Sequence, residues 1–281
     1  MKRGTITIIC ILFGIASFFT KASLAQIERA TVLGKRQVSS SDSMQLKRLW
    51  SNANKRPLYS EQRQKTLDSA LAIMPWNAYY WQQKAMPLYK RKKYELGAPY
   101  LDSAVKYDTK AYIDYRGFMK CLFQKNYREA IADFHASRAL LGNGSVMDHT
   151  YDFYLGLCHL QLNAFDSAEY FLRRTTEQQK AKLGEDWVHP TDLFYLGIVY
   201  YEKGAYATAI ETFDRSINRY KNFSDAKFYK AVCLERLNKK AEAETLFKEA
   251  KNDFIDGATI NEDNYIYESY PYQVDRLVHY R

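Results

Sequence analysis

Between Asp192 and Tyr220 the apolar positions recur at helical spacing, lapse once and then resume. Leu193, Leu196, Gly197 and Tyr200 share one face of a first segment, Gly204 interrupts it, and Tyr206, Ala209, Ile210 and Phe213 mark a second. The next stretch, Ser224–Lys251, repeats the arrangement. Phe194-Tyr195 is answered by Phe228-Tyr229, Gly197 by Ala231, Ala209 by Ala243 and Phe213 by Phe247, each at an offset of 34 residues. Self-similarity at that period predicts stacked helix pairs, because one pair cannot bury its apolar face alone. Small residues at Gly197 and Ala209 let two antiparallel helices approach, and Tyr200 and Phe213 fill the space beside them.

The same pattern extends towards the N-terminus. Asp148–Glu177 carries Leu155 and Gly156, then Phe165, Ala168 and Leu172. An insertion, Gln178–Pro190, then lengthens the spacing from Gly156 to Gly197 to 41 residues; Lys180–Leu183 is expected to extend a helix, and Trp187 with Pro190 to cap the next. An earlier unit has Gly117, Phe118 and Cys121 followed by Tyr127, Ala130, Ile131 and Phe134, with Gly142-Asn143-Gly144 as an open loop after it. Asn77–Asp108 carries Trp81, Ala85 and Leu88, then Tyr94, Gly97, Leu101 and Ala104. An atypical opening pair is predicted over Ser41–Asn54 and Glu61–Met74, with Ser60 as N-cap and Pro75 as the stop.

Leu196, Gly197, Tyr200, Gly204, Tyr206, Ala209 and Phe213 together resemble the tetratricopeptide repeat (TPR). The motif is degenerate, and its specificity comes from several copies in register. The resemblance implies an all-α fold, a right-handed superhelical solenoid of antiparallel helix pairs. Five to six repeats would span residues 41–254. It also implies that the first helix of each repeat lines an inner, concave surface. The Lys and Asn set with which some family members clamp a terminal carboxylate is not matched here.

Residues 255–281 break the period. Gly257, Asn261, Asp263 and Pro271 oppose a long helix, while Tyr265, Tyr267, Tyr270, Tyr272 and Tyr280 make the segment aromatic. Two readings stand: a cap folded over the apolar end left by Leu234, Leu246 and Phe247, or a segment lying along the groove of this chain or of a partner subunit.

Residues 1–25 read as a secretory signal peptide: Lys2 and Arg3, an apolar core over Ile6–Phe19, and the small-x-small site Ser23-Leu24-Ala25. A polar leader, residues 26–40, follows. The expected destination is the periplasm or the exterior, with no stable membrane insertion after cleavage. The net charge of +9 falls to +6 once Lys2, Arg3 and Lys21 are removed. The one basic run, Lys90-Arg91-Lys92-Lys93, reads as a solvated turn, and export disfavours nucleic acid as a partner.

Catalysis needs a positioned acid, base or nucleophile. The five histidines, His135, His149, His159, His189 and His279, form no short metal-ligand spacing, and no cofactor, metal or catalytic residue is predicted. Cys121, Cys158 and Cys233 fall on first helices. Equivalent positions on stacked helices sit about 8–10 Å apart, beyond disulfide reach, so these cysteines are expected to be buried small hydrophobes.

The recurrent pairs Phe153-Tyr154, Phe194-Tyr195 and Phe228-Tyr229 rise above this background. Either both aromatics are inter-repeat packing, or one packs and the other faces a partner-binding groove. Gln82, Tyr89, Gln161 and Tyr201 would lie near the floor of that groove, with Tyr79 and Trp81 placing aromatics nearby in an earlier unit. The expected function is a non-enzymatic protein–protein interaction scaffold holding a peptide or partner segment of the cell envelope. Glycan binding by exposed aromatics is the alternative, and an enzymatic site built from acids near Glu185–His189 is a third reading.

Overall fold

The computed structural model describes residues 38–262 and 264–275. The predicted signal peptide, most of the polar leader, Asp263 and Tyr280 lie outside the described residues. Twelve α-helices follow one another among the described residues: α1 (Ser40–Asn54), α2 (Glu61–Ile73), α3 (Ala78–Tyr89), α4 (Tyr94–Tyr107), α5 (Thr109–Leu122), α6 (Tyr127–Leu141), α7 (Tyr151–Gln161), α8 (Phe165–Leu183), α9 (Pro190–Glu202), α10 (Tyr206–Arg219), α11 (Ser224–Arg236) and α12 (Lys240–Ile255). The fold is an all-α helical repeat. None of these helices is long and apolar enough to cross a membrane. Contacts divide the chain into two compact units, with the boundary after Tyr112, inside α5.

In the first unit, α1 packs on α2 and α3 on α4. Its core holds Leu46, Ala53, Leu67, Leu71, Met74, Tyr79 and Tyr80, with the Trp50 ring edge-on to Tyr79 at 5.0 Å. Side-chain caps set the helix starts: Ser39, Ser60 and Asn77 accept from the main chain of Asp42, Arg63 and Tyr80 at 3.0, 3.2 and 3.1 Å.

In the second unit α7, α9 and α11 each pack on the helix that follows, and α8 and α10 pack on the first helix of the next pair. The periodic glycines make this approach geometrically feasible. A Cβ at Gly156 would lie 2.5 Å from Leu172 Cγ, and one at Gly197 would lie 2.5 Å from Phe213 Cε1, both inside van der Waals contact. A left-handed residue ends the first helix of each of these pairs: Asn163 at φ 57°, Gly204 at 72° and Asn238 at 61°. Asn and Gly tolerate that conformation better than other residues.

Two local features depart from the sequence reading. The loop after Gly144 is a small hairpin, β1 (Ser145–Val146) pairing antiparallel with β2 (His149–Thr150). In the insertion, α8 does run on to Leu183 and Pro190 opens α9, but Trp187 caps nothing. It lies in a 3-10 turn, 71% exposed, and the N-cap is His189, whose Nδ1 accepts from Thr191 N at 3.3 Å.

Candidate interaction groove

The Phe-Tyr pairs of the second unit form one continuous aromatic row. Centroid distances run 5.2 Å from Tyr154 to Phe153, 5.6 Å on to Tyr195, 5.1 Å to Phe194, 5.9 Å to Tyr229 and 5.4 Å to Phe228. Phe153 and Phe194 therefore each meet the tyrosine of the following repeat. Phe153, Tyr154, Phe194 and Tyr195 are fully buried, Tyr229 is buried and Phe228 half-buried. Of the two readings of these pairs, the burial fits packing of both aromatics and not the one in which one member faces an open partner-binding groove. The latter assumed one packed stripe per helix, whereas these helices are covered on two sides.

Residues 258–275 and the β1–β2 hairpin supply the second cover. Ser224 N donates to Ala258 O at 2.9 Å, and Thr259 Oγ1 and Ile260 N donate to Asp225 Oδ2 at 2.7 and 3.0 Å. Glu262 Oε2 comes within 3.2 Å of His149 Nε2. The segment then reaches the α5–α6 turn, where Lys125 Nζ donates to Ser269 O at 2.8 Å. It returns over α9 and α11. Tyr195 Oη donates to Pro271 O at 2.8 Å, Tyr272 Oη to Glu202 Oε1 at 2.7 Å, and the Tyr272 ring packs 5.9 Å from that of Tyr229. Finally Val274 N donates to Asp225 Oδ1 at 2.7 Å. The C-terminal segment is thus a loop of the compact surface type, lying across the first helices, with both ends held by one carboxylate. Its described residues thus lie along the first helices, as one of the two sequence readings has it, while Leu246 and Phe247 of α12 stay half-buried.

Asp225 is fully buried, and burial pushes its carboxyl above the ordinary carboxylate range against the pull of the Thr259, Val274 and Ile260 hydrogen bonds. Asp152 and Asp192 are likewise buried in the first turns of α7 and α9, where the helix N-terminus favours negative charge. Arg174 Nε (2.8 Å) and Arg138 Nη1 (3.2 Å) flank Asp152. His149 Nδ1 (2.8 Å), Gln179 Nε2 (2.6 Å) and Thr175 Oγ1 (3.2 Å) surround Asp192.

His149 links the core network to the loop. Burial disfavours its charge, but Asp192 and Glu262 on either side overcome this and push its pKa up to about 10. Glu262 is drawn the other way. Burial raises it, while His149 and the Thr191 hydroxyl bring it down to about 2. The result is an imidazolium sandwiched between two carboxylates, with His149 stacked 3.8 Å from Phe153. His149, His189 and Asp192 also bring ligand-type atoms within 4.8 Å of one another. Asp192 and the His189 Nδ1 are already engaged in the hydrogen bonds given above, so the cluster reads as a proton-holding latch, with His149 and Asp192 buried and His189 half-buried. Spacings of 40 and 43 residues hid it from the sequence.

The remaining predicted groove residues are placed as follows. Tyr79 and Tyr89 are buried in the first unit, on Trp50 and Tyr94 respectively. Gln82 is half-buried and accepts from Gln83 Nε2 at 2.9 Å. Gln161 accepts from Tyr127 Oη at 3.3 Å, and the half-buried Tyr201 ring lies 5.7 Å from Tyr229. Asp225, His149 and Glu262 are the residues that the sequence reading missed.

Residues 122–181 match the family described as tetratricopeptide repeat, and residues 181–250 match that of anaphase-promoting complex, cyclosome, subunit 3. No curated protein matches the sequence. Among solved structures, the chain is similar to PilW, a widely conserved type IV pilus biogenesis factor. Identity is 15% and the TM-score 0.59, over 77% of this chain and 95% of that one. It is also similar to MamA (41-end) from Desulfovibrio magneticus RS-1, at 13% identity and a TM-score of 0.53, over 64% and 96%. At such identities the likeness is one of fold. With the 34-residue period, the glycine contacts and the family match over residues 122–181 in agreement, the helical repeat is of the tetratricopeptide type.

Proposed function

We propose that the chain is an exported, non-enzymatic scaffold that holds a segment of an envelope protein across α7, α9 and α11, in competition with its own residues 258–275. The observation that carries this reading is the loop itself. The face it covers offers a buried carboxylate for main-chain N–H groups, a tyrosine hydroxyl for a main-chain carbonyl, an imidazolium for an acid and an aromatic wall for a ring. A partner segment that carries an acid and a Tyr-Pro-Tyr-like turn would meet the same groups. A tethered competitor acts at an effective concentration in the millimolar range, so releasing the loop strengthens capture of any partner that uses this face. Export rests on the N-terminal pattern of Lys2, Arg3, the apolar run and Ala25.

The test is affinity recovery from a native envelope extract with the wild-type chain, with the loop variant Glu262→Gln/Tyr272→Ala, which leaves the covered face intact, and with that variant plus excess synthetic peptide of residues 258–275. Greater recovery with the loop variant, abolished by the peptide, supports the proposal. Recovery that falls with the loop variant overturns it, because the closed loop would then belong to the docking surface. The glycan alternative draws no support from Tyr154 and Tyr195, whose rings are buried; it rests on the exposed rings of Trp187 and Tyr170.

A further inference from the structure

Cys121 on α5 and Cys158 on α7 lie with their sulfurs 3.4 Å apart, both fully buried. This overturns the expectation that cysteines on successive first helices are out of reach. That expectation compared equivalent positions, and these are not equivalent. Aligning Gly117 with Gly156 sets Cys158 opposite Met119, two residues before Cys121. Two residues turn a helix by about 200°, so one thiol faces forward along the stack and the other faces back, and the two meet between the helices.

We propose that Cys121 and Cys158 are joined as a disulfide that cross-links two neighbouring repeats. Both thiols lose their protons and together give two electrons to a disulfide oxidant, either an oxidised dithiol carrier or a low-molecular-weight disulfide. One cysteine first forms a mixed disulfide with it. The second then displaces the oxidant's remaining thiol, and two thiols are released from the oxidant. The bond closes the sulfurs from 3.4 Å to about 2.05 Å, which rotation about the side-chain bonds supplies. Burial pushes the Cys158 thiol well up and shuts out the oxidant, so exchange occurs while the repeats are folding or locally open. The cross-link fixes α5 against α7, beside the turn whose Lys125 holds Ser269. It thereby sets one end of the surface on which the loop rests. The source of oxidant rests on the export proposed above; the geometry does not.

The experiment equilibrates the full reduced chain in glutathione buffers of rising oxidised fraction, alkylates it under denaturing conditions and maps cysteines by mass spectrometry. A parallel sample is isolated from native cells under acid quench. The expected result is a Cys121–Cys158 linked peptide with the loss of two hydrogens in both samples, Cys233 alkylated throughout, and a melting temperature higher than in Cys158→Ala. Cys121 and Cys158 alkylated in every buffer, or Cys233 pairing as readily, overturns the geometric argument. A pair that oxidises in buffer but is recovered reduced from cells overturns the export reading and the native occurrence of the bond, while the geometry stands.

Discussion

Replacing Asp225 by alanine removes the one side chain that closes the C-terminal loop at both ends. Its carboxylate accepts from Ile260 N at 3.0 Å and Val274 N at 2.7 Å, in residues 1% and 3% exposed, and from Thr259 Oγ1 at 2.7 Å. A buried main-chain donor left without an acceptor costs about 1–3 kcal/mol, so the two N–H groups alone amount to about 2–6 kcal/mol. Removing a carboxylate that burial already disfavours offsets part of this, leaving about 2–4 kcal/mol against the closed loop. The cost has a ceiling, because once the loop opens both donors are hydrated. The penalty on global unfolding therefore cannot exceed the free energy of loop docking.

Hydrogen exchange read by mass spectrometry at fixed pH separates the two levels. Peptides covering residues 258–275 should exchange roughly 30- to 700-fold faster in Asp225→Ala, while peptides from α8 and α10 change little. Unchanged protection of the loop would refute the argument that one carboxylate holds it. A uniform loss over α7–α12 would refute the separation of loop from repeats.

Four further outcomes follow from the same contacts. Gly197→Ala drives a Cβ to 2.5 Å from the buried Phe213 ring and should cost about 1–3 kcal/mol in urea denaturation; Gly204→Ala, in open space at φ 72°, should cost about 1 kcal/mol through its left-handed backbone alone. His149 is raised from 6.5 to about 10, so its stabilising charge is complete below pH 6.5 and is lost as pH rises towards 10. Glu262, lowered from 4.5 to about 2, contributes above pH 4.5 and is lost as pH falls towards 2. The stability difference between wild type and His149→Gln should accordingly be greatest between pH 4.5 and 6.5 and shrink towards pH 10, and a flat difference would refute the latch. Removing both Arg138 and Arg174, each to methionine, strips the buried Asp152 of its cationic partners. The double variant should lose more stability than the two singles combined, by about 1 kcal/mol or more in a double-mutant cycle.

The periodic core was legible because its determinants are local. Gly197 and Phe213 stand 16 residues apart, and their contact follows from two helices and one turn. The cover over that core was not legible in the same way. Asp225 meets partners 34, 35 and 49 residues downstream, and no spacing rule records which donors an isolated aspartate will accept. His149 was hidden because the short strand that delivers it to Asp192 and Glu262 falls where the sequence reads the start of the helical unit Asp148–Glu177. The cysteines were misjudged because a two-residue register difference reverses the direction of a side chain on a helix. The Phe-Tyr pairs nevertheless carried a usable signal. Two adjacent aromatics on one helix exceed what a single packed stripe can bury, which requires a second cover. A segment with Tyr265, Tyr267, Tyr270 and Tyr272 holds a matching surplus of rings that water disfavours. Setting one surplus against the other selects the groove over the terminal pair as the resting place of the segment, because the end of the stack offers only Leu234, Leu246 and Phe247, whereas the row from Tyr154 to Tyr229 also offers a hydroxyl and carboxylates to the main chain of the loop.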